Sequence, residues 1–459
     1  MRAPKEEDLM SDFLKKSHSR RDFMKYVGTG AAASVIGFPA FAGSGGASCK
    51  FGLAIPTSTY FGEAAEKAAQ ISIDQINADG GVLGTPLELI VEDSAGRGDQ
   101  AFLAVQALDS RGADFMGGFF FSEELIGALP AFGVTRKLFF GTGASTPVAT
   151  IGIQGDYANN KFFFRVGPAN SFFILQSAVT FTIGMLQSQL GWDGMVIMAE
   201  DAAWNKPITD AFATLLGAFG SSVEVRDIIR YPENTTDFTP LFNQAEDAMQ
   251  GKTGGIFTLM AHTGTRPTSQ WAAQEVPLPF VGINVQAQDG RFDNLTNGAA
   301  ESVVTFSGGA KAPITPLTLP FVDSFENSSI RPDVAVPSYN AYYTYDAIRL
   351  FKAAVEAVGV FPDSEANTDA IIQNLEGYNA DNTFEVTTGN LGFYQLDEAN
   401  VSPINPSPFP HDLRFGGQYG EGVWIQWNGG GQEVVFPPFA PDGETTLLTA
   451  PFVLPPWLR

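Results

Sequence analysis

From Lys50 onward, short apolar runs alternate with longer stretches whose apolar residues recur at helical spacing. Phe51-Gly52-Leu53-Ala54-Ile55 is an apolar run, and Pro56-Thr57-Ser58 follows it as turn residues. Ala65, Ala68, Ala69, Ile73 and Ile76 form one stripe of a helix between Glu63 and Asn77, and Gly80-Gly81 ends it. Leu87, Leu89 and Val91 alternate with period two, and Phe115–Gly117 and Leu138–Phe140 read as a third and fourth strand. A second set of the same kind follows. A helix over Ser171–Leu190 leads to strands at Met195–Met198, Val223–Ile228, Ile256–Met260 and Phe280–Ile283. Helices near 205–219, 239–250 and 266–274 separate them. After Val303–Phe306 the pattern returns to helix, at Leu317–Phe325 and Tyr339–Ala357. Strands alternating with helices predict βαβ units, and writing the unit twice predicts two parallel-sheet α/β lobes. Six prolines between 437 and 459 rule out a helix there and predict an extended tail over the surface.

The first 42 residues do not belong to this alternation. Ser19-Arg20-Arg21-Asp22-Phe23-Met24-Lys25 resembles a twin-arginine export signal, with Met24 where Leu is commoner. A glycine-diluted apolar stretch over Tyr26–Phe38 is too short to span a bilayer, and Ala40-Phe41-Ala42 fits a small-x-small cleavage site. The expectation is a leader over 1–42, cleaved near Ala42 after passage through the twin-arginine machinery, and a periplasmic mature protein. Cys49 invites a lipid anchor, but Gly46-Ala47-Ser48-Cys49 lacks the usual leading Leu. No later run approaches ~18 apolar residues.

Charge removes one class of partner. The chain of 459 residues carries 50 acidic and 27 basic side chains, a net charge of −23. Seven of the basic and five of the acidic residues lie in 1–42, so the rest carries 20 against 45, or −25. Such a field repels phosphate backbones, and no nucleic-acid partner is expected. One cysteine and three widely spaced histidines (His18, His262, His411) leave no His/Cys metal spacing. Gly251-Lys252-Thr253 ends like a phosphate-binding loop, but Glu246 stands where its first glycine belongs. Gly141-Thr142-Gly143 begins a GxG pattern that Thr146 breaks, and neither G-x-S-x-G nor HExxH occurs. No catalytic set, cofactor or metal is expected. Open parallel sheets bind ligands beyond the carboxyl ends of their strands. Residues 57–61, 119–122, 142–146, 201–204, 261–263 and 284–288 therefore carry the interest.

Several of these segments resemble one family. Gly52–Pro56, Tyr60–Glu63 and Ile76-Asn77-Ala78-Asp79-Gly80-Gly81-Val82-Leu83-Gly84 are similar to the opening of the periplasmic solute-binding proteins of branched-chain amino acid ABC transporters. Glu92-Asp93-Ser94, Gly117 with Ser122, Gly143–Pro147, Phe164–Val166, Asp237–Thr239 and Tyr345–Ala347 resemble further family segments, in order, between about residues 50 and 435. The resemblance implies the type I periplasmic binding fold: two three-layer α/β lobes joined by a multi-strand hinge. On that reading, 48–166 plus 306–388 form the first lobe, and 167–305 plus 389–459 the second.

The resemblance also implies a function. The lobes close on a small solute, such as an amino acid, an amide or urea-like compound, or a carboxylic acid, and deliver it to an ABC permease. A receptor that docks on a signalling partner is the alternative use of the fold. Ser122 and the loop Gly143, Ala144, Ser145 fall where the family binds the ligand's carboxylate. Phe61, Trp204, His262 and Asn340 fall at aromatic or wall positions. Asn284 and Gln286 stand where amino-acid binders commonly have a carboxylate facing the ammonium. These ten residues are the expected ligand contacts.

Overall fold

The computed structural model describes residues 48–398, 409–447 and 450–459; the expected export signal and cleavage site lie outside them. The first lobe starts with β1 (Cys49–Ile55), α1 (Tyr60–Ala78), β2 (Leu87–Asp93), α2 (Gly98–Ser110), β3 (Phe115–Gly118) and α3 (Ser122–Thr135). It continues with β4 (Phe139–Gly141), α4 (Val148–Gly155) and β5 (Phe163–Arg165). The five strands form one parallel sheet in the order β2-β1-β3-β4-β5. Phe51, Leu53 and Phe115 face one layer of helices, while Ala54, Met116 and Phe139 face Val105, Leu108, Leu125 and Phe132 on the other. Burial on both faces is why these strands read as continuous apolar runs.

The second lobe repeats the scheme. It contains α5 (Ser171–Phe181), β6 (Gly194–Glu200), α6 (Lys206–Ala218), β7 (Glu224–Tyr231), α7 (Thr239–Ala248), β8 (Gly254–Met260), α8 (Thr265–Ala273) and β9 (Phe280–Asn284). Its parallel sheet has the order β7-β6-β8-β9. The helix expected over Ser171–Leu190 is α-helical only to Phe181, and Thr182–Gln187 form a π-turn. Two local causes are present: the Thr182 hydroxyl donates to the Ala178 carbonyl at 2.8 Å, and Gly184 lies inside the segment.

The chain then passes through β10 (Val304–Ser307) to α9 (Thr318–Asn327), α10 (Tyr339–Val358) and α11 (Glu365–Glu376). The longest of these, α10, lies along α1 of the first lobe, where the Ser72 hydroxyl donates to the Tyr345 carbonyl and Asn340 Nδ2 to the Phe61 carbonyl. A short hairpin follows, β11 (Phe384–Val386) and β12 (Gly389–Leu391), then β13 (Val423–Asn428) and β14 (Gly431–Phe436). β13 pairs antiparallel with both β10 and β14, and Trp424 stacks on Phe181 at 4.0 Å.

The return to the second lobe therefore comes later than the division at 389. Phe393 N donates to the Tyr378 carbonyl at 2.8 Å, the His411 ring stacks on Phe164 at 3.9 Å, and His411 Nε2 is 2.9 Å from Glu376. All of these partners belong to the first lobe. The apolar residues of this segment complete the first-lobe core, which the sequence division had closed too early. Among its described residues the proline-rich end has no helix beyond a three-residue turn; Trp457 seats against Trp271 at 4.6 Å and donates to the Val276 carbonyl.

Asp412, in the same segment, meets Arg165 at 2.8 Å with both side chains fully buried. The Asp412 carboxylate also accepts from Thr150 Oγ1 at 2.8 Å and Asn170 Nδ2 at 3.1 Å. Removing one partner of a buried pair strands the other charge, at a cost of about 3–5 kcal/mol. Asp412→Ala is expected to lose that much stability in chemical denaturation, and a midpoint equal to wild type would contradict this reading of the junction.

Candidate functional site

The two sheets present their carboxyl ends to one cleft. Its lining comes from the turn after β3 (Phe120, Phe121, Ser122), the loop after β4 (Gly143, Ser145) and the crossing at Pro168 and Ile174. The second lobe adds Trp204, Ala261, Ile283, Val285 and Gln288, and the hinge adds Phe306, Ser307, Gly308 and Tyr339. The enclosed space is about 50 Å³.

The first-lobe wall is a backbone device. Gly118 has φ +126°, and a Cβ there would lie 2.1 Å from the Ala54 carbonyl, so the turn after β3 can press against β1. The buried Glu124 carboxylate takes the amides of Phe120 at 2.8 Å and Phe121 at 2.7 Å, and also the Ser94 hydroxyl. Burial pushes Glu124 above the ordinary carboxylate range, and these hydrogen bonds only partly oppose it. Ser122 heads α3, whose first-turn amides have no carbonyl partner within their own helix. Its Oγ accepts from the Thr146 amide at 3.1 Å, which leaves the hydroxyl proton free to donate elsewhere.

The loop after β4 is locked from behind. Tyr339 Oη donates to the Gly143 carbonyl at 2.7 Å. Arg165 donates to the carbonyls of Ala144 and Thr146. Ser171 holds the Ser145 carbonyl through its amide at 2.9 Å and its hydroxyl at 3.0 Å. All four carbonyls are thus engaged, and the loop has hydroxyl and amide groups left to offer an anion. Helix starts add partial positive charge at the same place. A Cβ on Gly143 would approach the Phe119 carbonyl to 2.4 Å, so only glycine lets this loop lie against the neighbouring turn.

Four of the ten expected contacts, Ser122, Gly143, Ser145 and Trp204, line the cleft. The others sit one layer back. Phe61 stacks on the lining ring of Phe120 at 4.3 Å. Asn340 joins the start of α10 to α1 by donating to the Phe61 carbonyl at 2.9 Å. Ala144 is packed into the first-lobe core. Asn284 Nδ2 turns to Thr268 Oγ1 at 3.2 Å. Gln286 caps α8 by accepting the Thr265 amide at 2.7 Å and donates to the His262 carbonyl. His262 stacks on Phe121 at 4.2 Å and lies 2.8 Å from Glu200.

Gln288, Tyr339 and the phenylalanines at 120, 121 and 306 also line the cleft without being among the ten expected contacts, although residues 119–122 and 284–288 were segments of interest. Their place depends on the apposition of the lobes: Gln288 Oε1 accepts the Tyr339 amide at 2.9 Å and the Ser307 hydroxyl at 3.2 Å. The alternation of Phe119-Phe120-Phe121 with Ser122 just beyond a strand end was the one available signal.

No lysine, arginine, aspartate or glutamate is among the lining residues. Among the described residues no cluster could hold a metal ion, and no helix is long and apolar enough to cross a membrane.

A cleft between two parallel α/β layers of matching strand order, with three passages of the chain between them, is the architecture found in the comparisons. The chain matches the family described as periplasmic binding protein over residues 50–404. It belongs to that family. No curated protein matches it in sequence. Among solved structures, the branched-chain amino acid substrate-binding protein LivJ from Streptococcus pneumoniae, in complex with isoleucine, aligns with a TM-score of 0.65 at 18% identity. That alignment covers 85% of this chain and 100% of LivJ. A solute-binding protein of an ABC transporter from R. palustris, in complex with benzoate, aligns with a TM-score of 0.66 at 15% identity, covering 89% of this chain and 99% of the other. A putative branched-chain amino acid ABC transporter protein from Silicibacter pomeroyi gives 0.69 at 15% identity, covering 90% and 100%. At such identities the likeness is one of fold, the type I periplasmic binding fold. Periplasmic binding proteins are substrate receptors that work outside the cytoplasm and deliver solutes to a transporter.

Gly143→Ala tests the locked loop. Forcing a methyl group against the Phe119 carbonyl is expected to cost about 1–3 kcal/mol. A variant with wild-type thermal stability would show that the loop has room to yield.

Proposed function

We propose that this periplasmic binding protein captures a small organic acid with an apolar or aromatic body and passes it to an ABC importer. Its own twin-arginine leader, residues 1–42, would export it to the periplasm, with cleavage near Ala42. The observation that carries this reading is the asymmetry of the cleft. Hydroxyls of Ser122 and Ser145, with the first-turn amides of α3, stand on one wall, and the rest is mostly apolar side chains, Phe120, Trp204, Ile283, Val285 and Phe306 among them.

A carboxylate needs such donors. Each charge-assisted hydrogen bond contributes roughly 1.5–3 kcal/mol, so three or four could supply much of the ~8 kcal/mol of a micromolar complex. An ammonium group gets no such answer, since no carboxylate is among the lining residues. The geometry therefore favours an acid over an amino-acid zwitterion, and over the amide or urea-like compounds that lack a full negative charge. Relatives of the same fold were solved with benzoate and with 3,4-dihydroxybenzoic acid, and another with isoleucine. The net charge of −23 works against anion entry at long range, but screening confines that field to about 8 Å at physiological salt.

Benzoate and related monocarboxylates are expected to raise the melting temperature more than isoleucine or simple amides do. The absence of a shift with every acid, amide and amino acid in a broad panel would overturn the receptor reading. Ser122→Ala is expected to weaken benzoate binding about ten- to hundred-fold, the loss of one charge-assisted bond, with little change in fold stability. Trp204→Ala is expected to weaken it through lost apolar contact. Unchanged affinity in both variants, measured by calorimetry, would mean that the solute binds elsewhere.

A further inference from the structure

We propose that His262 is a positioning residue that clamps the closed lobes, its ring bonded to Glu200 of its own lobe and stacked on Phe121 of the other, so that solute capture is coupled to proton binding. This rests on the receptor reading above and concerns how that same cleft is regulated.

The residue comes from the turn after β8 and does not line the cleft. Its ring stacks on Phe121 of the first lobe at 4.2 Å, with 14° between the planes. Nδ1 lies 2.8 Å from Glu200 Oε1 and 3.4 Å from Glu233 Oε1. From the first lobe, Glu123 reaches across and accepts the Ala203 amide at 2.9 Å. Its second oxygen, Oε2, is buried without a hydrogen-bond partner among the described residues. Closure thus brings Glu123 toward a lobe-two pocket that already holds Glu200 and Glu233.

The remaining groups nearby do not neutralise that gathering. Asp201 adds a further negative charge beside Glu233 and is itself answered by Arg230 at 3.2 Å. Tyr231 is engaged with Thr263 at 2.8 Å, and burial keeps its phenol neutral. The imidazole is the group that can take up a proton here, with Glu200 at 2.8 Å and Glu233 at 3.4 Å from Nδ1.

Glu200 is held as an anion. Burial pushes its pKa up, but the hydrogen bond and charge of His262 and the amides of Ala261 and His262 more than offset this, and the net shift is downward. For His262, burial favours the neutral ring, but the Glu200 hydrogen bond and the charges of Glu200, Glu233 and Glu123 outweigh it. The net shift is upward from the ordinary 6.5. Parting the lobes removes both the Glu123 charge, which favours the protonated ring, and the Phe121 cover, which disfavours it; the clamp requires the charge to outweigh the cover, so that the closed form binds the proton more tightly than the open form. By linkage, affinity is then greatest below the open form's value and falls as pH rises through the higher value of the closed form. A difference of half to one unit between the two forms corresponds to roughly three- to tenfold in affinity.

The test is calorimetry with benzoate as the probe at about pH 6 and about pH 9, together with an NMR titration of the His262 ring. The wild type is expected to bind roughly three- to tenfold more weakly at the higher pH. His262→Gln is expected to bind weakly and without that pH dependence. Glu123→Gln, which keeps an oxygen for the Ala203 amide, is expected to lower the ring's pKa and flatten the profile. A pH-independent wild-type affinity, or a ring pKa unmoved by Glu123→Gln, would overturn the clamp. Failure of benzoate to bind at either pH would contradict the proposed solute class instead. The ring titration is then read on protein purified with its native solute retained, where a value that falls in Glu123→Gln supports the clamp and an unmoved value overturns it.

Discussion

The backbone at 143–146 has one orientation open to it, because each of its four carbonyls is held from behind by Tyr339, Arg165 or Ser171. That constraint gives the cleft its polarity. A peptide loop offers donors and acceptors in equal number; engaging the acceptors elsewhere leaves donors in excess on the cleft side, which is the basis of the proposed anion site. The arrangement depends on Arg165, which stays buried because Asp412 accepts its charge at 2.8 Å. Burial alone pulls the Arg165 guanidinium's pKa down, and the charge and hydrogen bond of Asp412 act against that pull. Asp412 in turn is positioned by Thr150 and Asn170, and Asn170 also caps α5 by accepting the Phe172 amide at 3.0 Å. One buried pair therefore links the binding loop, the first crossing between lobes and the last.

Closure is held together by few contacts, and they differ in kind. Gln288 bonds the Tyr339 amide, Arg291 lies over the Tyr60 ring at 4.7 Å, and Phe121 meets His262. Each is a single polar or aromatic contact at the end of a rigid element, which suits a two-state hinge: the contacts break together when the lobes part. The lobes themselves are stiff, each a parallel sheet between helical layers with its own apolar core.

Much of this fold was legible in the sequence, for a physical reason. Parallel strands buried on both faces are written as apolar runs, and β1, β3, β6 and β8 stand at or within a few residues of where those runs lie. β13 and β14 were not legible in the same way. They alternate Trp, Ile and Val with Gln and Glu, and the Asn428-Gly429-Gly430 turn between them was the missed hairpin signal. The site divides along the same line. Ser122, Ser145 and Trp204 follow strand ends and could be found by that rule. Asn284 and Gln286 obey the rule too, yet their amides serve Thr268 and Thr265 on α8, and a helix cap cannot be told from a ligand contact by position alone. Gln288, Tyr339 and Asp412 act through partners far away in the chain, which no local pattern records.

The most direct measurement is a crystal structure of the protein purified with its native solute retained. The account predicts that solute between the lobes, its negative group within about 3 Å of the hydroxyls of Ser122 and Ser145 and its apolar body against Trp204 and Phe120. A solute whose charged end faces the second lobe, or one bound outside the wall formed by Ser122 and residues 143–145, would contradict it.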